Sequence, residues 1–366
     1  MLRHTRLLPA VLLVFSTAIL ASAAPLLLVL NKGNNTLAVV DAATLKVKGT
    51  IPSGPDPHEV TASADGRVAY ISNYMQGNGA ASTLSVADLA GLKALPPVDL
   101  GALTRPHGLT LSQGKIYFTA EGAKVVGRLD PATNRIDWVM GTGQNRTHMV
   151  IVSRDGKKVF TTNVASATVC VIEQVQGGGF GPGGPPPGGR GPGGPPPGGP
   201  GGRGPGGPPP GGRGPGAPDW NVTVIPVGRG AEGFDLTPDG SQIWTANAQD
   251  ASVSIIDVAS KKVVKTVPVP FRSANRLKFT LDGKYALISD LGGNDLFVLD
   301  AASHAVVHTI DLGGGGAAGI QMDPNGKRAF VSVGSANSVA IINLATWKID
   351  GRIQSGPEPD GLAWVE

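Results

Sequence analysis

The chain repeats itself, and the repeat limits the folds open to it. A turn glycine recurs at Gly66, Gly114, Gly156, Gly240, Gly283 and Gly326, mostly as Asp-Gly or Asn-Gly. That pairing is the strongest short signal for two antiparallel strands joined tightly. Successive spacings are 48, 42, 84, 43 and 43 residues. The 84 holds a foreign tract of 42 residues, whose removal restores the period, and the 48 has a local source in an extended loop, Gln76 to Ser82. A second marker ends a β-rich run in every unit: Asp41, Asp88, Asp130, Glu173, Asp257, Asp300 and Asn343. The markers count seven copies.

Each copy carries about four short β-rich runs, as in Phe234–Leu236, Gln242–Thr245, Ser252–Ile256 and Lys262–Val267. Four strands per 42 residues predict a propeller blade. An open solenoid would need capping ends, and none is visible. The chain ends complement each other instead. Leu26–Leu30, Leu37–Val40 and Val47–Ile51 supply the last three strands of a blade, and Gly361–Val365 supplies only a first strand. Joining them closes the ring and removes exposed sheet edges. The expected fold is an all-β, seven-bladed β-propeller of four-stranded blades, closed by the C-terminal strand.

Two segments stand outside the repeats. Residues 1–23 read as a secretory signal: basic Arg3, His4 and Arg6, apolar Leu7 to Leu20, and a small-residue cleavage site at Ala21-Ser22-Ala23. With no cysteine near that site, a lipid anchor is excluded, and a periplasmic or secreted protein without a membrane span is expected. Gly177 to Pro218 contains 22 of the 54 glycines and 15 of the 31 prolines. It has almost no side chains to bury, so it reads as a disordered insertion in the fourth blade of a single 24–366 propeller domain. Glycine does not fall at every third position, which excludes a collagen helix.

Charge needs the same division. The formal +4 includes Arg3 and Arg6 of the leader and Arg190, Arg203 and Arg213 of the tract, which leaves the rest at −1. The body is therefore no basic platform for nucleic acid. One cysteine, Cys170, rules out a disulfide framework and Cys-x-x-C metal sites. It reads as a buried, inert thiol.

Tyr70-Ile71-Ser72-Asn73, Phe160-Thr161-Thr162-Asn163 and Trp244-Thr245-Ala246-Asn247 resemble the Tyr-Val-Thr-Asn signature of YVTN-repeat propellers, the YncE-like extracytoplasmic proteins. Ala120, Asp290 and Val333 replace the asparagine in three units. The resemblance implies the fold strongly and function weakly, because the family spans binding proteins, lactonase-like enzymes and cell-surface proteins. It also suggests single-stranded DNA as a ligand. The near-neutral body and the few exposed-looking aromatics argue against that. Tyr70, Tyr117, Phe160, Trp244 and Phe330 are expected to pack between blades.

In a propeller the first strand of each blade lines the central channel. The residue at its entrance is, in turn, His58, His107, His148, Glu232, Asn275, Ala318 and Asp360. Three of the mature chain's five histidines share this column. Adjacent imidazoles with carboxylates supply ligand types for a divalent transition metal (Zn, Fe, Mn or Cu), with His58, His107 and His148 as the trio. They equally suit general acid–base chemistry, with Glu232 and Arg105 joining the three histidines if the protein is an enzyme. The bland alternative is that the histidines merely brace the blade entrances. Arg105 and Arg146 precede histidines by two residues, Arg276 follows Asn275, Glu59 follows His58, and Glu121 is expected on a loop of the same face. Such a funnel suits a carboxylate or phosphate. The leading expectation is a monomer binding a small ligand, metal or protein partner at this face, with no certain cofactor. A lactonase-like hydrolase or lyase is the alternative.

Overall fold

The computed structural model describes residues 24–175 and 219–366. Residues 1–23, expected to be a secretory signal, and the Gly/Pro-rich tract lie outside them. The described residues form seven four-stranded antiparallel sheets in a ring, with no α-helix among them. In the blade numbering used below, blade 1 is the composite: Pro359–Val365 pairs with Leu26–Asn31, followed by Thr36–Asp41 and Lys46–Pro52. Leu26 faces Val365 and Leu28 faces Ala363 across that closure. Blades 2 to 7 begin with the inner strands Pro57–Ala62, Pro106–Ser112, Thr147–Val152, Ala231–Leu236, Ala274–Phe279 and Ala317–Met322. Each of these packs on the inner strands to either side, which brings the seven entrances together.

Local chemistry explains the units. The marker residues cap the turn between the third and fourth strands: Asp41 Oδ1 accepts from Thr44 N–H at 2.8 Å, Asp257 Oδ1 from Ser260 at 2.7 Å, and Asn343 Oδ1 from Thr346 at 3.1 Å. These are side-chain–backbone turns that short polar residues favour. Glu173, where the tract interrupts that turn, instead pairs with Lys158 and Lys261. The signature asparagines are buried and tie the second strand to the third, as when Asn73 Nδ2 donates to Ser85 Oγ at 2.8 Å. Aromatics at the matching second-strand sites fill the gaps between blades: Trp244 of blade 5 meets Phe279 of blade 6 edge-on, with centroids 5.2 Å apart. Cys170 is buried, and burial raises its thiol pKa.

Two expectations change. Gln76 to Ser82 is not a loop: the second and third strands of blade 2 lengthen, pairing Met75 with Ala80 and Gln76 with Gly79. Inner strands also start earlier than composition suggests. That of blade 5 runs from Ala231, with a register shift between Ala231 and Phe234. Ala-Glu-Gly has little β propensity, and the neighbouring blade extends the strand. No helix among the described residues is long and apolar enough to cross a membrane.

Candidate functional site at the channel mouth

The repeat motif itself holds the entrance column in place. The hydroxyl before the signature asparagine donates to the backbone of the next blade's entrance residue. Thr119 Oγ1 reaches the His148 carbonyl at 2.5 Å, Thr162 the Glu232 carbonyl at 2.8 Å, Ser289 the Ala318 carbonyl and Ser332 the Asp360 carbonyl, both at 2.7 Å. The next residue is often glycine, for a steric reason: a methyl at Gly108 would stand 2.6 Å from the His148 carbonyl oxygen. Neighbouring entrances are thereby locked close together. All seven column residues, His58, His107, His148, Glu232, Asn275, Ala318 and Asp360, line one cavity of about 540 Å³.

A second column was not recognised in the sequence. Two residues before six of the seven entrances the backbone turns left-handed, as at φ 46° for Asp56, 54° for Arg105, 52° for Arg146 and 50° for Glu358. The carbonyls there accept from the residue after the signature-asparagine position: Tyr74 N–H to Asp56 at 3.1 Å, Glu121 to Arg105 at 2.9 Å, and Lys32 to Glu358 at 2.9 Å. Lys32, Tyr74 and Glu121 thus occupy one repeat position on blades 1, 2 and 3, beside the histidines. Their signal was available, because each follows the signature asparagine or its replacement. Only Glu121 was singled out.

The histidines lie side by side. Ring centroids are 4.7 Å apart for His58 and His107 and 3.7 Å for His107 and His148. His148 is clasped by carboxylates, with Nδ1 2.5 Å from Glu121 Oε1 and Nε2 2.8 Å from Glu232 Oε1, the latter a close ion pair rather than an aligned hydrogen bond. Burial opposes its charge, but Glu232 and Glu121 outweigh burial and lift its pKa to about 9. The same balance applies to the carboxylates. Burial would raise Glu232, but the charge of His148 outweighs it and pulls the pKa down to about 2. Glu121 stays below the usual range despite burial, accepting from His148 and from the Tyr74 hydroxyl at 2.5 Å. Burial and the Glu121 bond push Tyr74 up to about 12. His107 is driven well below the usual range, first by burial and then by the charge of His148, and is neutral.

The remaining charges are also paired. Lys32 Nζ lies 3.0 Å from His58 Nε2, 3.5 Å from Asp56 and 3.6 Å from Asp360. Arg146 Nε stands 3.5 Å from Glu121. Buried Arg276 of blade 6 reaches across the channel to Glu59 of blade 2, and this ion pair floors the cavity. On its far side a second cavity of about 410 Å³ opens toward the opposite mouth.

The structure therefore divides the expected residues. The histidines, Glu232, Asn275, Arg276, Asp360 and Arg146 share the cavity. Glu121 supports it from behind His148, and Glu59 belongs to the floor. Arg105 is displaced from the expected acid–base group: it is exposed, outside the wall, with its guanidinium 5.8 Å from the Tyr74 ring centroid. The metal trio is not assembled either. Among the described residues no three His, Cys, Asp or Glu side chains are grouped to hold an ion.

A YNCE-like β-propeller family model matches residues 215–324. No curated protein matches the sequence. Among solved structures, a functionally unknown protein of Desulfotomaculum acetoxidans is 12% identical with TM-score 0.69, covering 93% of this chain and 99% of its own. A candidate 6-phosphogluconolactonase of Bacteroides uniformis is 14% identical with TM-score 0.65, covering 93% and 100%. Hydrazine synthase of Kuenenia stuttgartiensis is 17% identical with TM-score 0.64, covering 86% and 91%. At such identities the likeness concerns the fold alone. With the repeats and the closed ring together, the chain is a seven-bladed β-propeller, and its residues 215–324 are similar to the YNCE-like propeller family.

Proposed function

We propose that the protein is an exported binding propeller whose histidine-bearing channel mouth takes a small polar ligand. One observation carries this reading: seven blades each contribute the same repeat position to a single cavity, and that position has diversified into imidazole, carboxylate, amide and methyl. A brace repeated for structure alone would be the same in every blade. The volume, about 540 Å³, lies within the range of small-molecule sites. Lys32, Arg146, His148 and Arg276 already face carboxylates, so an anion would have to displace one of them. A neutral ligand avoids that cost. Export rests on the leader read in residues 1–23, and a secreted protein beginning at residue 24 is the expected result of N-terminal sequencing. Titrating small polar compounds while observing the His107 and His148 ring resonances tests the mouth. A ligand that binds the protein and leaves both unmoved would sink the reading.

A second reading is favoured by neutral His107 and by the candidate lactonases among the structural neighbours. His107 would take a proton from water as the oxygen attacks a lactone carbonyl. The ring C–O bond then breaks, and the departing alkoxide takes up a proton to give the hydroxy acid. Hydrolysis across a panel of lactones should exceed that of His107→Gln by at least ~100-fold; equal rates eliminate this reading.

A further inference from the structure

Building on the binding reading, we infer that the ligand is a neutral ring carrying several hydroxyl groups, a cyclic polyol or sugar. Its hydroxyl edge is read by Asn275, Glu232 and Asp360, and its C–H face rests on Leu291, Ala318 and Pro359. All six residues line the cavity.

The hydrogen-bond inventory points to this class. Asn275 is 7% exposed, yet its side-chain oxygen has no partner. A buried amide oxygen without a donor costs about 1–3 kcal/mol, and a ligand hydroxyl removes that cost. Glu232 gives one oxygen to His148, and Asp360 faces Lys32 with one oxygen, so each has acceptor capacity left. His107 Nδ1 is likewise buried without a partner. The free oxygens of Asn275, Glu232 and Asp360 outnumber the one donor without an aligned partner, His148 Nε2, so the ligand must chiefly donate. A cationic donor gains little, because His148 and Lys32 already neutralise Glu232 and Asp360. A hydroxyl both donates and accepts, which also suits the neutral imidazole beside it.

The opposite wall supplies the other half of the match. In blades 6 and 7 the ionisable columns give way to Leu291, Ala318 and a shelf of Gly315, Gly316 and Gly334. Gly334 N–H bonds to the Gly316 carbonyl at 3.0 Å, and Ser335 N–H to the Gly315 carbonyl at 3.1 Å, so the shelf is fixed. Leu291 is 46% exposed at its rim, an apolar side chain without cover. A saturated polyol ring has this same two-sidedness, with hydroxyls around the edge and C–H groups on a face.

Calorimetric titration with glucose, galactose, xylose and myo-inositol, alongside their phosphate esters and spermidine, tests the class. At least one neutral ring should bind, with its phosphate ester at least 10-fold weaker. Asn275→Ala should weaken binding about 10-fold, and Ala318→Phe should abolish it while Ala318→Ser retains it. Thermal midpoints of the variants confirm that they fold. Tighter binding of the esters or spermidine, with His107 and His148 resonances shifting, would overturn the polyol class and leave the mouth reading intact. A neutral ring that binds equally to wild type, Asn275→Ala and Ala318→Phe overturns the assignment of residues. If no compound of any class binds, both readings fall.

Discussion

Two halves of the channel mouth are built on the same repeat and have opposite chemistry. On blades 1 to 5 the entrance column holds Asp360, His58, His107, His148 and Glu232, and the second column adds Lys32, Tyr74 and Glu121 before turning apolar at Val164 and Ala248; the charges there are paired with one another. On blades 6 and 7 the equivalent positions are Asn275, Ala318, Leu291 and Gly334. The backbone is equally fixed on both sides, by the same hydroxyl bonds from Ser289 and Ser332 as from Thr119 and Thr162. What differs is how far the side chains depend on one another. The ionisable half is a coupled network in which each member sets the charge state of the next. The small half is a set of independent positions that leaves space. A repeat ring can therefore keep one fold while dividing electrostatics and shape between its sectors.

That contrast predicts unequal responses to substitution. The largest is expected at His148, where His148→Gln leaves Glu121 and Glu232 without their shared cation. Breaking a buried pair in this way costs about 3–5 kcal/mol, read from urea unfolding. Adding Glu121→Gln and Glu232→Gln should recover much of the loss. No recovery would mean that the clasp does not act as a unit.

Next comes pH. The folded pKa of His148, about 9, lies above its ordinary 6.5, so its contribution is full below 6.5 and fades as pH rises through 9. Glu232, at about 2, lies below its ordinary 4.5, so its contribution is full above 4.5 and fades as pH falls toward 2. The site should favour folding most between the two limits. Imidazole resonances of His148 should move near pH 9, while those of His107 show no protonation through pH 6. A His148 transition near 6.5 would break the network picture.

Smaller effects sharpen the boundary between the halves. Tyr74→Phe removes one bond to an ionised, buried carboxylate and should cost about 1.5–3 kcal/mol. Ala318→Ser, on the small half, should stay within roughly ±1 kcal/mol by the same unfolding measurement. Equal costs at the two positions would erase the distinction.

How much of this was legible before folding differs by feature. Seven blades, the closure by Gly361–Val365 and the shared position of His58, His107 and His148 were readable, because turn glycines, capping aspartates and strand periodicity are local signals. Even Glu121 could be placed on the correct face from repeat position alone. Lys32 and Tyr74 escaped because single lysines and tyrosines are unremarkable until the carbonyls of Glu358 and Asp56 fix them beside the entrances. Arg105 and Arg146 look equivalent in sequence. One leans on Tyr74 outside the cavity, and the other turns toward Glu121 within reach of it.

The sequence by itself determined the ring and the face on which its ionisable groups gather, since each follows from a pattern repeated within about 42 residues. Only the tertiary structure decided what those groups are. It set His148 as a clasped cation, His107 as a neutral ring and Arg276 with Glu59 as the floor. Those states depend on partners one to three blades away, and so on distances that exist only after the first strand of blade 1 has closed on Leu26–Asn31. Charge state is a property of neighbours, and in a propeller the neighbours are chosen by closure.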